Sequence, residues 1–499
     1  MKITTITLNI ALLFFTGTLF AQSYTAKVID QKTQEPILFA TVQYDTNKGT
    51  ITNEEGVFTI PMTQLKDSIT ITSMGYERLS VVSNTMTDTT LTLVEKNNEL
   101  KAVFLTNNPL SPEEIIERVK ENVPSNYPNA LSEKKVFYRS SQRSTMDKID
   151  IDFKKSTIEE LNEQLLDSIV RAIPRRSDYY TEAVANASGN YDEQKVRIER
   201  SAKLYDKNNE VSLESFSGRL ETIFKENVKP NSFIKIKSGL FGTKIQLDST
   251  LTETDQKGTI QVKVQSDSTA TQEDAYDTTD VVKDGIERMY KGLFFNEDST
   301  LDFLSKSNRY DFETTGYTTI DDATVYIITF EPKWKKDFKG TLYVNTEDYA
   351  IMRLAYENVR NIRSIKLLGI SYQENAYRGK TIFKKTQDQG YIVSYLEVEK
   401  GVRIGVDRPL KVIEKNKFVK GRNKQNELSL GIDVGTTAYD KQELIVFTDT
   451  AINDTQYKNV EPTKNIEATY LSAYDASFWD GYSIIEPNEA IQSFKALEE

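Results

Sequence analysis

The sequence predicts a mainly β protein, in which a small β-sandwich precedes a large curved antiparallel sheet or half-open β-barrel with a few helices. Two series of strand signals support this: short alternating segments between Tyr24 and Lys96, and a second series from about Tyr310 onward. A hydrophobic content of 38%, with 26 Tyr, 23 Phe and 2 Trp, is sufficient for cores in both parts. A chain of 499 residues predicts two to four domains, at roughly 100–200 residues each.

Residues 1–21 are predicted to form a secretory signal peptide. Lys2 gives a positive start, the apolar centre begins at Ile10, and Ala21 supplies the small residue of a cleavage site. The exported chain would begin at Gln22. The absence of Cys after the apolar run argues against a lipid anchor, and no later segment approaches the ~20 apolar residues of a membrane helix.

Composition excludes several functional classes. The net charge of −11 argues against nucleic acid, because nucleic-acid binding needs a basic surface. The sequence has no Cys and no His, which excludes a disulfide framework, zinc sites with His ligands, and Ser-His-Asp or Cys-His catalysis. We therefore predict no catalytic, cofactor-binding or metal-binding residues. Any enzyme activity would have to use carboxylates, Ser-Lys, Tyr or Lys.

The β-sandwich is predicted over residues 22–96. Apolar residues that share one face mark its strands, namely Tyr24, Ala26 and Val28; Leu38, Ala40, Val42 and Tyr44 within Ile37–Tyr44; Ile69 and Ile71; Leu79 and Val81; Leu91 and Leu93. Within the turn Thr52–Phe58, Gly56 is expected to take a positive φ. Gly75 is expected to mark a bulge or a tight bend.

Four segments of this region resemble the carboxypeptidase regulatory-like domain, namely Ala26–Asp30, Glu35–Val42, Thr50–Ile60 and Ser68–Tyr76. The usual turn of that family is Thr-Asp-x-x-Gly-x-Phe, and this chain has Asn53 in place of the Asp. The resemblance implies a seven-stranded, transthyretin-like sandwich that is non-catalytic. Such domains precede many outer-membrane receptors and other Gram-negative envelope proteins, so the resemblance implies the cell envelope as location.

The remaining domain boundaries are predicted from changes in composition. They are a linker over 97–110, a mixed helix and strand region over 111–245, an acidic flexible insertion over 246–284, and an antiparallel β-rich region with a C-terminal helix over 285–499. Ser111 and Glu114 form a capping box, and Pro124 is expected to end the helix that it starts. Thr157–Ile173 has the apolar spacing of a second helix.

Three polar segments allow a functional interpretation beside a structural one. Arg175, Arg176, Asp178, Tyr179 and Tyr180 would contact glycans or partner proteins, or would belong to a loop packed on a β-surface. The insertion would be solvated, or would bind calcium through its carboxylates. Asn53, Glu54 and Glu55 would ligate calcium or form an ordinary turn, and the oxygen spacing of an EF-hand is absent.

The C-terminal half is predicted to be a series of antiparallel strands. They are Tyr317–Ile320, Ala323–Phe330, Phe338–Val344, Ile351–Glu357, Thr381–Lys385 and Tyr391–Glu399. The hairpin Gly340–Leu354 is similar to the repeating unit of lipoprotein-carrier half-barrels of the LolA/LolB type, which implies an apolar concave face for an acyl chain. Phe478–Pro487 and a helix Asn488–Leu497 are expected to form a terminal clamp, with Trp479 and Tyr482 buried.

Several residues are candidates for a hidden active site. Ser132 with Lys135, and Ser232 with Lys235, match a Ser-Lys spacing but lack the companion motifs of penicillin-recognising enzymes. Asp321 with Asp322, and Glu397 with Glu399, are carboxylate pairs, and only the second pair shares a face of a strand.

These observations favour a secreted, non-enzymatic envelope protein that acts as an interaction or scaffold module in the periplasm or at the outer membrane. The expected partners are envelope or outer-membrane proteins, with no cofactor, no nucleic acid and no transmembrane span. One alternative is a periplasmic carrier of lipid or lipoprotein. Another is a hydrolase, which would rest on the carboxypeptidase name alone.

Overall fold

The chain forms two compact units, one of Met1–Asn98 with Asp475–Glu489 and the other of Glu99–Tyr474 with Ala490–Glu499. The computed structural model describes residues 23–45, 48–62, 65, 67–83, 86–87, 89–96, 110–229, 232–239, 241–246, 277–386, 390–416, 418 and 423–496. The predicted signal peptide and nearly all of the predicted linker lie outside these residues. The predicted domain boundaries therefore stay predictions.

The first unit contains a seven-stranded β-sandwich, as the resemblance implied. Its strands are β1 (Ser23–Asp30), β2 (Thr41–Asp45), β3 (Lys48–Ile51), β4 (Val57–Pro61), β5 (Ser68–Thr72), β6 (Leu79–Val82) and β7 (Thr90–Leu93). They form two sheets, in the orders β4-β1-β7 and β3-β2-β5-β6. Both sheets contribute to one core, in which Val28, Val42, Phe58 and Ile69 are fully buried.

The segment before β2 differs from the prediction. The strand expected over Ile37–Tyr44 begins only at Thr41, and Leu38 is 41% exposed instead of sharing the core face. The reason is the buried hydroxyl of Thr52, which accepts a hydrogen bond from the Ala40 N–H (2.8 Å) and donates one to the Ile37 carbonyl (2.7 Å). These bonds hold the intervening residues in a turn, in which Phe39 has φ +55°.

The turn Thr52–Phe58 is confirmed as a turn by its hydrogen bonds. The Asn53 Oδ1 accepts from the backbone N–H of Glu55 (3.0 Å) and of Val57 (2.8 Å), which is Asx-turn chemistry. Gly56 has φ +75°, and a Cβ there would lie 2.7 Å from the Val28 carbonyl oxygen. Gly75, with φ +79°, occupies the expected tight bend.

The second unit is built on one curved, open sheet of 14 strands. The strands are β8 (Ser132–Ser156), β9 (Arg176–Gly189), β10 (Gln194–Tyr205), β11 (Phe233–Ser238), β12 (Phe241–Gln246), β13 (Tyr310–Ile320), β14 (Ala323–Pro332), β15 (Phe338–Asn345), β16 (Ile351–Asn358), β17 (Arg363–Leu367), β18 (Ile370–Lys385), β19 (Tyr391–Lys415), β20 (Lys424–Ala451) and β21 (Thr469–Leu471). The main path is β13-β14-β15-β16-β18-β19-β20-β8-β9-β10-β21, with β11 beside β19, β12 beside β11 and β17 beside β18. The predicted antiparallel series is confirmed, and only β10 and β21 pair in parallel within the described part of this sheet.

Six α-helices occur among the described residues: α1 (Pro112–Asn126), α2 (Glu163–Ala172), α3 (Lys207–Asn227), α4 (Thr278–Lys291), α5 (Asp454–Lys458) and α6 (Glu489–Gln492). None of the helices in the described part of the chain has the length and apolar character needed to cross a membrane. The capping box of α1 is confirmed, because the Ser111 Oγ accepts from the Glu114 N–H (3.2 Å) and the Ser111 N–H donates to the Glu114 carboxylate (2.7 Å).

The helices differ from the prediction at five places. Helix α1 continues past Pro124 to Asn126, and the helix expected over Thr157–Ile173 begins only at Glu163, after β8 has extended to Ser156. Helix α3 was not predicted. Helix α4 occupies the end of the predicted insertion, where Val282 is fully buried, whereas residues 247–276 lie outside the described part. The helix expected over Asn488–Leu497 is reduced to one turn, because the Ala496 N–H bonds instead to the Ser472 carbonyl (2.7 Å).

One face of the large sheet carries the core of the second unit. Ala183, Tyr138, Leu444 and Leu396 stand side by side across β9, β8, β20 and β19, and none is more than 2% exposed. Helix α4 lies against this face so closely that a Cβ at Gly285 would be 2.3 Å from the Tyr138 hydroxyl oxygen. The apolar face at this end of the sheet is therefore filled by the chain's own side chains.

Two glycines in helices test this close packing. We expect Gly285→Ala to lower the free energy of unfolding by about 1–3 kcal/mol, because the methyl group cannot fit without moving Tyr138 or α4. Gly218→Ala in α3 is the matched control, because the added Cβ would meet nothing within 4 Å. It should stabilise the helix by about 0.5–1 kcal/mol. Urea unfolding followed by circular dichroism measures both, and equal effects would contradict the packing argument.

Candidate functional site

The two Ser-Lys pairs do not form catalytic pairs. Ser132 and Lys135 are three residues apart on β8, so their side chains point to opposite faces, and Lys135 pairs with Glu199. The buried Ser232 hydroxyl donates to the Glu414 carboxylate (2.6 Å) instead of facing a lysine amine. Lys135 is held by Glu199 and the Ser232 hydroxyl donates to a carboxylate, so the Ser-Lys spacing does not mark a Ser-Lys dyad.

The other sequence candidates also have structural roles. Asp321 and Asp322 form the tight turn between β13 and β14, with φ of +46° and +65°. The cluster Arg175–Tyr180 leads into β9 and is not a loop on a β-surface. Tyr180 is 1% exposed and packs edge-on to Phe494, with ring centroids 5.7 Å apart. The Tyr180 ring therefore has a packing role.

Glu397 and Glu399 share a face of β19, as predicted, and both are buried. Glu399 forms an ion pair with Arg378 (2.9 Å), whereas Glu397 pairs with Lys441 (3.2 Å) and accepts a hydrogen bond from the Tyr395 hydroxyl (2.9 Å). The structure therefore pairs each of the two carboxylates with a different cation. They are neighbours on one face of a single strand, whereas the two carboxylates of a glycosidase flank the scissile bond.

These residues belong to a row of buried charges that crosses four strands, which we call the charged row. It comprises Glu182, Arg139, Glu443, Lys441, Glu397 and Glu399, each no more than 8% exposed. Arg139 lies 2.6 Å from Glu182 and 3.7 Å from Glu443. Burial alone would lower the pKa of the Arg139 guanidinium, but the two carboxylates raise it above its ordinary value. The charges compensate one another, which suits a structural network.

The charged row lies on the sheet face opposite to α4, because Glu182 and Arg139 alternate with the core residues Ala183 and Tyr138. On the α4 face, the core ends at a polar band that includes Asp440. Its carboxylate accepts from the Gln442 amide (3.1 Å) and the Ser140 hydroxyl (3.4 Å). Burial raises the pKa of Asp440 above its ordinary value.

Beyond this polar band, the same face becomes apolar again, and this surface is the candidate site. Strands β8, β19 and β20 are 25, 25 and 28 residues long and extend well past the core. Apolar residues of these strands, with two residues of β18, form a surface that we call the platform: Ile149, Ile151 and Phe153; Leu430, Ile432 and Val434; Ile404, Val406 and Leu410; Ile370 and Tyr372. Apart from Leu430, its members are half-buried or exposed. Arg408, the β19 partner of Ile432, lies on the same face but is buried, and its guanidinium donates to the Ser238 carbonyl.

The opposite face of the same strands is charged. Lys148, Asp150 and Asp152 of β8 alternate with the platform residues and are exposed, and Lys148 pairs with Asp433 of β20. A sheet with one solvated polar face normally buries the other face. The platform is apolar without being fully buried, and apolar surface of this kind marks interaction sites.

The platform could have been found from the sequence by its alternation. Ile149, Ile151 and Phe153 alternate with Asp150 and Asp152, and an equally regular series runs from Leu428 to Val434. This pattern predicts amphipathic strands. It does not show that the apolar side stays half-exposed, because that depends on which segments cover it.

The sandwich of the first unit holds a segment from the other end of the chain, namely the predicted clamp, whose attachment site the sequence did not indicate. The Tyr44 and Ser483 hydroxyls are 2.5 Å apart, the Thr50 hydroxyl donates to the Ile484 carbonyl (3.1 Å), and the Asn53 amide donates to the Pro487 carbonyl (3.2 Å). Trp479 is 3% exposed, as expected, whereas Tyr482 is only half-buried.

Comparisons with known proteins give one firm match. The family model described as CarboxypepD_reg-like domain matches residues 24–105. No curated protein matches the chain.

Several solved structures match with low similarity. A domain from Vibrio parahaemolyticus described as an outer membrane lipoprotein-sorting protein shares 8% identity, with 70% of this chain and 97% of that one covered and a TM-score of 0.20. A LolA superfamily protein from Nitrosomonas europaea shares 9% identity, with coverage of 70% and 98% and a TM-score of 0.15. The Pseudomonas aeruginosa MucA/MucB complex gives 7% identity, coverage of 66% and 93%, and a TM-score of 0.17.

A lipoprotein-sorting protein domain and a LolA superfamily protein are thus among the matches. TM-scores of 0.20 or less carry no argument for a ligand or an activity of this chain. The match of the N-terminal region does not depend on these structures, because its sequence motifs and its seven strands both agree with the family resemblance. Residues 24–105 therefore match the CarboxypepD_reg-like domain in sequence motifs, and the described part of this region matches it in strand number.

Proposed function

We propose that the chain is an exported, non-enzymatic protein of the cell envelope that acts as an interaction or scaffold module in the periplasm or at the outer membrane. We further propose that the platform binds a partner protein of the envelope. The observation that carries the proposal is the half-exposed apolar face on strands whose opposite face is charged. The predicted signal peptide supports export.

The dimensions of the platform favour a protein over a single acyl chain. It spans four strands at about 4.8 Å spacing and about seven residues along β19, so it measures roughly 14 by 20 Å between backbones. An acyl chain would cover one narrow strip of this surface and leave the rest in water. A protein surface can cover all of it, and interfaces with partners of this kind combine an apolar centre with a polar rim.

The non-enzymatic part of the proposal is supported by chemistry. The chain has no His and no Cys, and its Ser-Lys and carboxylate candidates have ion-pair, hydrogen-bond or turn roles. These roles support the proposal that the Ser-Lys spacings and carboxylate pairs serve the fold and not hydrolysis.

A charge on the platform tests the proposal. We expect Val434→Lys to remove capture of an envelope protein by the tagged chain from detergent-solubilised envelopes, because a lysine desolvated at an apolar interface is costly. Ser429→Lys, on the opposite face of β20, is the matched control and should retain capture. Quantitative mass spectrometry of the cross-linked eluates measures both, and thermal unfolding confirms that both variants fold.

Three outcomes would contradict the proposal. Equal capture by both variants would remove the platform from the interaction. Stoichiometric lipid in the purified chain, lost on Val434→Lys, would favour the second candidate, a carrier of lipid or lipoprotein, whose acyl chain would lie on the same apolar residues. Peptide hydrolysis that resists chelators would contradict the non-enzymatic reading.

A further inference from the structure

Two apolar protrusions carry large exposed side chains, and the second adjoins the platform, because Ile365 and Leu367 pair with its members Tyr372 and Ile370. The first is Trp334, in the loop between β14 and β15, which is 92% exposed. The second is the end of the hairpin β17–β18, where Ile365, Leu367 and Leu368 are 51%, 61% and 50% exposed. We call them the tryptophan apex and the leucine apex.

Both apices place a large apolar side chain at a left-handed backbone position. Trp334 has φ +58° and Leu368 has φ +49°. Leu368 and Gly369 (φ +79°) form a two-residue hairpin loop with positive φ at both positions, where Asn-Gly is the favoured sequence. Leucine and tryptophan are strained in this conformation, and their exposed side chains gain no packing in return.

Hydrogen bonds hold both apices in place. The Gly369 carbonyl accepts from the Asp407 N–H of β19 (2.7 Å). On the other apex, the Arg360 guanidinium pairs with Asp337 (2.7 Å) and donates to the Lys335 carbonyl. The apolar side chains are therefore presented on ordered supports.

Each apex has an exposed lysine beside it. Lys335 follows Trp334, and Lys366 precedes Leu367. Among the described residues, neither lysine forms an ion pair, in contrast to Lys333, which pairs with Asp311 (2.9 Å). The chain as a whole has a net charge of −11, so these lysines are local exceptions to its charge.

We propose that the two apices bind an anionic phospholipid surface, with Trp334, Leu367 and Leu368 in the interfacial layer and Lys335 and Lys366 at the headgroups. Tryptophan favours the interface between water and lipid, and lysines beside it favour anionic lipid. A lipid layer accepts apolar side chains at any position on its surface, which suits two separate convex apices. A protein partner would need two matching pockets.

The test is flotation of the chain from Gln22 onward with vesicles of phosphatidylethanolamine and phosphatidylglycerol. We expect weak, reversible binding that falls with added salt. Trp334→Asn and Leu368→Asn should each weaken it about tenfold by removing apolar insertion. Because Asn suits a left-handed position, both variants should unfold at the wild-type temperature or above it, which separates lost binding from lost folding.

Lys335→Glu and Lys366→Glu should each weaken binding about fivefold, and only to vesicles that contain anionic lipid. Leu38→Asn, which removes an exposed leucine of the first unit, is the control and should bind as the wild type does.

Equal flotation of the wild type and a Trp334→Asn/Leu368→Asn double variant would overturn the proposal. If Trp334→Asn or Leu368→Asn left flotation unchanged but reduced capture of an envelope protein, the apices would bind a protein partner, and the lipid proposal would be overturned as well. Val434→Asn on the platform should leave flotation unchanged, so the two proposals fail independently.

Discussion

Replacement of Arg139 by methionine is expected to lower the free energy of unfolding by about 3–5 kcal/mol. The guanidinium lies between two buried carboxylates, 2.6 Å from Glu182 and 3.7 Å from Glu443. Methionine keeps most of the volume but removes the charge that compensates them at a site where Arg139 is 1% exposed. Urea unfolding followed by circular dichroism measures the loss.

Two further variants decide whether the buried charge is the cause. Arg197→Met removes a guanidinium of similar size from β10, where its pair with Glu133 (3.2 Å) is half exposed, and should cost less than about 1 kcal/mol. The double variant Arg139→Met/Glu182→Met should recover part of the loss, because removing both charges costs less than breaking the pair. A cost of Arg139→Met no larger than that of Arg197→Met would show that the charged row is not a stabilising network.

Local chemistry explains which elements the sequence could predict. The capping box at Ser111 and the positive φ of Gly56 depend on residues within a few positions of each other, and both are confirmed. The strand expected over Ile37–Tyr44 begins later, at Thr41. The turn before it is held by the Thr52 hydroxyl, which accepts a hydrogen bond from Ala40, twelve residues earlier in the chain. Secondary-structure propensity depends on neighbouring residues, so it cannot anticipate a hydrogen bond from a side chain twelve positions away.

Longer-range effects explain what could not be predicted. Arg139 and Glu182 have the appearance of surface residues on alternating strands, and their burial follows only from the pairing of β8 with β9. The candidate site is a similar case. The alternation of Ile149, Ile151 and Phe153 indicates an apolar side, but the strands had to be assembled before that side could be seen as half-exposed.

Asn53 is the departure from the family's turn, and the structure gives it a second partner. Its Oδ1 accepts from two backbone N–H groups of the turn, as an Asp would, while its Nδ2 donates to the Pro487 carbonyl (3.2 Å), which an Asp carboxylate cannot do. The extra amide donor therefore links the sandwich to the segment Asp475–Glu489 of the same unit.

We expect Asn53→Asp to preserve the turn and weaken the attachment of this segment. The change removes one hydrogen bond and places a carboxylate beside a carbonyl oxygen, at a residue that is 3% exposed, so it should cost about 1–3 kcal/mol. Hydrogen exchange should accelerate at residues 483–489 and stay unchanged at Glu55 and Val57, whose amides still have their acceptor.

Asn53→Ala separates the two roles of the side chain. It removes the acceptor of the turn as well as the donor to Pro487, so it should cost more than Asn53→Asp, by about 1–2 kcal/mol, and accelerate exchange in both segments. If Asn53→Asp instead left exchange at residues 483–489 unchanged, the amide of Asn53 would not hold the segment. The hydroxyl contacts of Tyr44 and Thr50 would then suffice, because they bind Ser483 and Ile484 without it.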